Sequence, residues 1–256
     1  VSVCSGATIN VGSFTANTGG GEVFTWTNSN IGIGIAANGV GDIASYTAPI
    51  NTTGVDITGT LVVTASKNGC TSSGSNSKTF TITIKPEPVV SNVTNVEVCS
   101  GASISGINFS ANTGGGETFT WTNTNTGVGL ALSGSGNISS YTAPINISGV
   151  DIVGTLVVSA SKNGCTSTGA NQETFTITIK PEPVVAAVGN VIECSGATVG
   201  AISFSANTAG GETFTWTNSN PAIGLGVSGT GNIASYTAPI NLTGSSLVGT
   251  IVVTAT

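Results

Sequence analysis

Three near-identical segments spaced 95 residues apart constrain this chain more than any other feature. VCSGA at Val3–Ala7 returns at Val98–Ala102 and, as ECSGA, at Glu193–Ala197, an offset of 95 each time (99 − 4 and 194 − 99). NGC ends at Cys70 and at Cys165, the same period (165 − 70 = 95). FTWTN recurs from Phe24, Phe119 and Phe214, and SYTAPIN from Ser45, Ser140 and Ser235. Solenoid repeats run to ~20–50 residues, so a period this long is a whole domain. A unit of this size can bury its own core and matches the ~100 residues of a seven-strand sandwich. The boundaries expected are 1–88, 89–183 and 184–256. The third copy is expected to be incomplete, since Thr256 aligns with Ser161 and Cys194 is left without a repeat partner. The whole is read as a stretch of a longer, processed polypeptide.

Within a copy the alternation is that of strands. Val23–Thr27 places Phe24 and Trp26 on one face and threonines on the other, and Thr79–Ile84 does the same with Phe80, Ile82 and Ile84. Val1–Cys4, Ala7–Thr15, Ile43–Ala48 and Thr60–Ala65 complete the expected strands, with a bulge at Gly12 because Ile9 and Phe14 differ in parity. The stretch after Asn28 reads as an irregular glycine-punctuated region. Turn signals every ~8–12 residues and no helical period argue for an all-β, immunoglobulin-like sandwich in tandem. The joints KPEPVVSNVTN and KPEPVVAAVGN carry two prolines each, which favour extended, semi-rigid chain. Opposite-pole termini and stiff joints predict an extended rod, with small contacts between KPEPVV and the NTGGGE or NTAGGE turn of the next copy.

Composition removes several functional classes. The chain has no His and no Arg, only five Lys, and 6% charged residues, against roughly a quarter in ordinary domains. A net charge of −6 argues against nucleic-acid binding, which needs basic clusters. No apolar run reaches the ~18–20 residues of a membrane span. Without His or Arg the common general base and anion clamp are missing, and Asp42 becomes Asn137 and Asn232 in the later copies. No catalytic residue and no cofactor is expected. Calcium at a joint would use Glu87 or Glu182 with Glu22, Glu117 or Glu212, but no DxDxDG-type spacing occurs, so no metal residue is assigned.

Trp26, Trp121 and Trp216 could stack on sugars, but each is in phase with a core phenylalanine and is expected in the core. Tyr46, Tyr141 and Tyr236 are expected as half-buried rings with bonded hydroxyls. Zinc would need CxxC pairs or His, so the cysteines point to disulfides in an exported protein. Two pairings fit the sequence: Cys4–Cys70 with Cys99–Cys165 inside copies, or Cys70–Cys99 with Cys165–Cys194 between them. Counting strand directions puts Cys4 and Cys70 at one pole, so the within-copy pairing is expected, with Cys194 unpaired. Asn-x-Ser/Thr sequons stand at Asn51, Asn92, Asn137, Asn146 and Asn241.

At FTWTNSN, SYTAPIN and the VCSGA…NGC pair, the chain resembles the PKD-like repeats of giant surface proteins of the Bacteroidota. True PKD domains continue into a WDFGDG-like turn, whereas Trp26 is followed here by Thr27, Asn28 and Ser29. The resemblance implies type IX secretion, an extracellular or cell-surface location, and long adhesins or filaments, some used in gliding motility. Its expected partners are neighbouring repeats of the same chain, with surface polysaccharide or self-association into filaments as the outward ones. The expected function is a rigid structural spacer. The alternatives are a carbohydrate-binding array or the accessory region of a secreted hydrolase.

Overall fold

A computed structural model describes residues 1–208 and 210–256. In the first repeat eight strands form: β1 (Ser2–Cys4), β2 (Thr8–Ile9), β3 (Val23–Asn28), β4 (Asn38–Val40), β5 (Tyr46–Thr47), β6 (Ile57–Lys67), β7 (Cys70–Thr71) and β8 (Lys78–Lys85). The large sheet has the order β1-β8-β6-β3-β4, with β7 folded back on β6, and β2 pairs with β5 in a second, two-stranded sheet. All pairings are antiparallel except β1 with β8, which is parallel and sets Cys4 level with Lys85. This is an immunoglobulin-like sandwich, and the chain is all-β and tandem. The second repeat rebuilds the same sheet from Val96–Cys99, Thr118–Asn123, Ser133–Ser135, Ile152–Lys162, Cys165–Thr166 and Glu173–Lys180. The third forms three of these strands, Phe214–Asn218, Ser228–Thr230 and Ile251–Ala255.

Apolar side chains alternate along β6 and β8 so that Leu61, Val63, Ile82 and Ile84 meet Ile9, Trp26, Ile33 and Ile43 between the sheets. The second core repeats this with Leu156, Val158, Phe175, Ile177 and Ile179 around Trp121. Removing such surface from water stabilises each repeat by ~25 cal/mol per Å2. Trp26 lies across from Gly39 in β4, and a Cβ there would fall 2.1 Å from the indole ring. Gly134 and Gly229 stand in the same relation to Trp121 and Trp216. A glycine in β4 is thus the space that the ring occupies.

Several expected strands change length. The segment Ala7–Thr15 is strand only at Thr8–Ile9, and no bulge forms at Gly12. The chain turns away there, because Gly12 N–H donates to Asn10 Oδ1 and Phe14 N–H to Asp42 Oδ1 rather than to a neighbouring strand. The irregular region is a single 3-10 turn, Ile31–Ile33, capped by Asn30, followed by β4. Asn28, at the end of FTWTN, holds that region: its side-chain amide donates to the carbonyls of Asn30, Ile35 and Ala36.

Candidate functional site: the joint between repeats

The aromatic candidates lie inside the sandwich. Trp26, Trp121 and Trp216 are 9, 9 and 8% exposed. Their indole N–H groups are buried without an acceptor, for which nothing in the structure gives a reason. Tyr46 and Tyr141 donate their hydroxyls to the carbonyls of Ile33 and Val128 at 2.9 Å, and burial raises both phenols above their ordinary pKa. Two sequon asparagines are interior. Asn51 is fully buried and donates to Val55 O and Ile84 O, and Asn146 repeats this with Val150 O and Ile179 O. These two amides tie the loop before β6 to the end of β8 or its counterpart, and neither offers a nitrogen to an outside group.

The carboxylates proposed as calcium partners serve turns. Glu22 Oε1 accepts from the Thr18 hydroxyl and from Gly20 N–H, and Lys67 Nζ lies 3.8 Å away. The Thr18 hydroxyl chiefly holds the Glu22 carboxyl below its ordinary range, with Lys67 adding to it. At Glu117 burial pushes upward, but the Thr113 hydroxyl and Gly115 N–H outweigh it and the net shift is down. Glu212 is lowered first by Thr208. Among the described residues no group of three or more His, Cys, Asp or Glu could hold a metal ion.

The cysteines assemble differently from either pairing considered above. The disulfide joins Cys4 of the first repeat to Cys165 of the second, with Cα atoms 5.5 Å apart, and Cys70, Cys99 and Cys194 are free and exposed. The expected Cys4–Cys70 and Cys99–Cys165 bonds are absent for a topological reason. The first strand runs parallel to β8, so its last residue reaches the same pole as the end of β8. Cys70 faces Lys67 at the other end of β6, ten residue steps from Ile57, which is level with Val3 through Ile84. At ~3.3 Å per step the two cysteines are about 33 Å apart, far beyond disulfide reach. The neighbouring repeat brings its own β6–β7 turn to that pole instead.

Other contacts converge there. Lys85 Nζ donates to Asn163 O at 3.1 Å, and the Thr168 hydroxyl donates to Glu87 Oε1 at 2.7 Å. The Glu of KPEP is therefore engaged by the next repeat. On the other flank Asn112 clasps both the linker and the first repeat. Its Oδ1 accepts from Val89 N–H, its backbone N–H donates to Val89 O, and its Nδ2 donates to Thr52 O at 2.7 Å. Gly54 sits under it, with φ at 83° and space for no Cβ, which would lie 2.3 Å from Asn112 O. The contacts thus include KPEPVV with the NTGGGE turn.

The second joint repeats this clasp. Asn207 Oδ1 accepts from Val184 N–H at 2.8 Å, and Nδ2 donates to Ile147 O at 2.7 Å. Gly149 takes the place of Gly54, its Cβ position 2.2 Å from Asn207 O. Val90 bridges Ala111, and Val185 bridges Ala206. No hydrogen bond among the described residues joins the first repeat to the third. Asn112, Asn207, Gly54 and Gly149 were not singled out from sequence. The signal available was their constancy within NTGGGE-type and sequon-bearing loops.

No protein-family model matches the chain, and no curated sequence is similar to it. Solved structures give distant likenesses. "Crystal structure of DIP-gamma IG1+IG2" is 11% identical, covers 70% of this chain and 93% of that one, and has a TM-score of 0.36. "Crystal Structure of Mouse Cadherin-23 EC22-24" is 12% identical, covering 86% and 76%, at a TM-score of 0.33. "Sidekick-1 immunoglobulin domains 1-4" is 13% identical, covering 100% and 70%, at 0.27. At these scores the likenesses carry no inference about function. Among the described residues no helix is long and apolar enough to cross a membrane.

Proposed function

We propose that this chain is a non-catalytic structural segment of a long, secreted cell-surface adhesin or filament, in which successive repeats act as a stiff spacer. The observation that supports this most is the joint. The same asparagine clasp closes both joints, with Asn112 on Thr52 O and Asn207 on Ile147 O, each at 2.7 Å, and the first joint is also covalently closed. A spacer needs equal, defined joints, whereas a set of binding modules needs exposed sites. Disulfide use favours an oxidising, extracellular setting. The finer reading, a Bacteroidota adhesin exported through the type IX route and used in adhesion or gliding, rests on the sequence resemblance. The carbohydrate-binding alternative needs open aromatic platforms, and the three tryptophans are buried.

Small-angle scattering of the oxidised chain tests the proposal. A maximum dimension that grows linearly as repeats are added supports a spacer. A dimension near that of one globule of the same mass overturns it.

A further inference from the structure

Repeat symmetry gives two further cysteines, Cys99 and Cys70, the same places in their repeats as the bonded Cys4 and Cys165. Cys99 ends its first strand level with Lys180, as Cys4 does with Lys85. The second joint has the Asn207 clasp already closed, so the pole bearing Cys99 is docked in the way that brings Cys4 to Cys165. The position of the third repeat that matches Cys165 is 260 (165 + 95), four residues past Thr256. Lys180 correspondingly pairs with Glu97 at 3.1 Å, where Lys85 reaches across to Asn163.

Cys70 is the opposite half. Its counterpart Cys165 is 2% exposed and bonded to Cys4, and Ala160 and Phe175 beside it, 0 and 1% exposed, pack in one core with the linker valine Val90. In the first repeat Cys70 is exposed, and Ala65, Ser72 and Phe80 are all more open than their counterparts. The pole thus has the apolar side chains of a covered surface. In the second repeat that surface meets the linker at Val90 and the Cys4 and Lys85 end of the preceding repeat.

We infer that Cys99 and Cys70 are the two open halves of the Cys4–Cys165 joint, each taking a cysteine of another copy of this repeat. Cys99 takes the thiol of a β6–β7-type turn, and Cys70 takes the thiol that ends a first strand. Each bond spans 161 residues, as the existing one does. Every repeat in an array is then linked to both neighbours by disulfide as well as by peptide. Formation needs a disulfide oxidant. One thiolate attacks the oxidant's disulfide and expels one of its thiols, the second thiolate attacks the protein sulfur of the mixed disulfide and expels the other, and the oxidant's two thiols carry away the two electrons and two protons. The inference extends the proposed array, but it is read by pairing rather than by shape, so either can fail without the other.

Two longer chains and one substitution test it, with oxidised glutathione as oxidant and non-reducing peptide mapping as readout. Residues 162–183 appended after Thr256 continue the third repeat in register, since 256 − 95 = 161. The appended cysteine is expected to join Cys99, lowering the alkylatable thiols from three to two (3 − 1). A copy of residues 96–190 placed ahead of Val1 carries two cysteines, and the first of them, the copy of Cys99, is expected to join Cys70. Pairing of the appended cysteine with Cys194, or a Cys99 that stays free, overturns the inference. Should the longer chains fail to fold, Cys4→Ser in the 256-residue chain still decides. Cys165 is then expected as a free thiol that is alkylated once the chain is denatured, and a Cys99–Cys165 bond would overturn the inference.

Discussion

Asn112 donates its side-chain amide to the carbonyl of Thr52, 60 residues earlier in the chain and in the preceding repeat. With the Val89 contacts, one side chain sets the angle at which a repeat leaves its neighbour. Asn112→Ala removes two bonds at an exposed site, for a cost of ~1 kcal/mol each. After reduction of the disulfide this variant is expected to sample a wider range of inter-repeat angles than the reduced parent. Small-angle scattering checks this, and unchanged profiles would contradict the clasp.

Gly54 and Gly21 offer a matched comparison. Both have φ near 82°, but a Cβ at Gly54 meets Asn112 O and one at Gly21 meets nothing within 4 Å. Each alanine carries the ~1 kcal/mol penalty of the left-handed region. Only Gly54→Ala is expected to disturb the joint as well, seen as chemical-shift changes at Asn112 and Val89.

Trp121→Ala is expected to destabilise the second repeat by ~3–5 kcal/mol through the cavity it leaves. Gly134→Ala, which overfills the same space, is expected to cost ~1–3 kcal/mol. Denaturant unfolding of the two variants measures both. Equal stability in either would show that the ring is not held as described.

Acid should loosen the glycine-rich turns, two of which, those starting at Asn112 and Asn207, dock on the joints. The carboxyls of Glu22, Glu117 and Glu212 are lowered below their ordinary 4.5. Their contribution is therefore present above the unfolded value and is lost as pH falls through the lower folded value. Amide exchange at Gly20, Gly115 and Gly210 is expected to speed up, after correction for intrinsic rates, as pH drops below about 4. Glu117→Gln should remove that pH response at Gly115 alone.

Much of the sandwich was legible because its signal is local. FTWTN and TFTITI alternate strictly, and a chain that alternates so must bury one face. The second strand was overextended because Asn10 and Asp42 take backbone amides that alternation assigns to a neighbour. The cysteine pairing failed on a non-local fact. Val1–Cys4 reads as a strand in either direction, and only its partner decides which pole Cys4 reaches. The sequon at Asn51 says nothing of its place in the interior, because a tripeptide pattern is blind to burial. Asn112 was passed over because turn asparagines have many local uses, and its role depends on a residue in another repeat.

The Cys4–Cys165 bond also redirects tension. A chain drawn out from its two ends transmits force from Cys4 straight to Cys165, and the 161-residue stretch between them hangs off the taut path. Fully drawn out, that stretch would amount to roughly 530–580 Å at ~3.3–3.6 Å per residue. None of this slack can be released while the bond holds, even if the first repeat melts. Oxidation state therefore sets how much of the chain can yield: only the part after Cys165 while the bond is intact, and the bridged stretch as well once it is reduced.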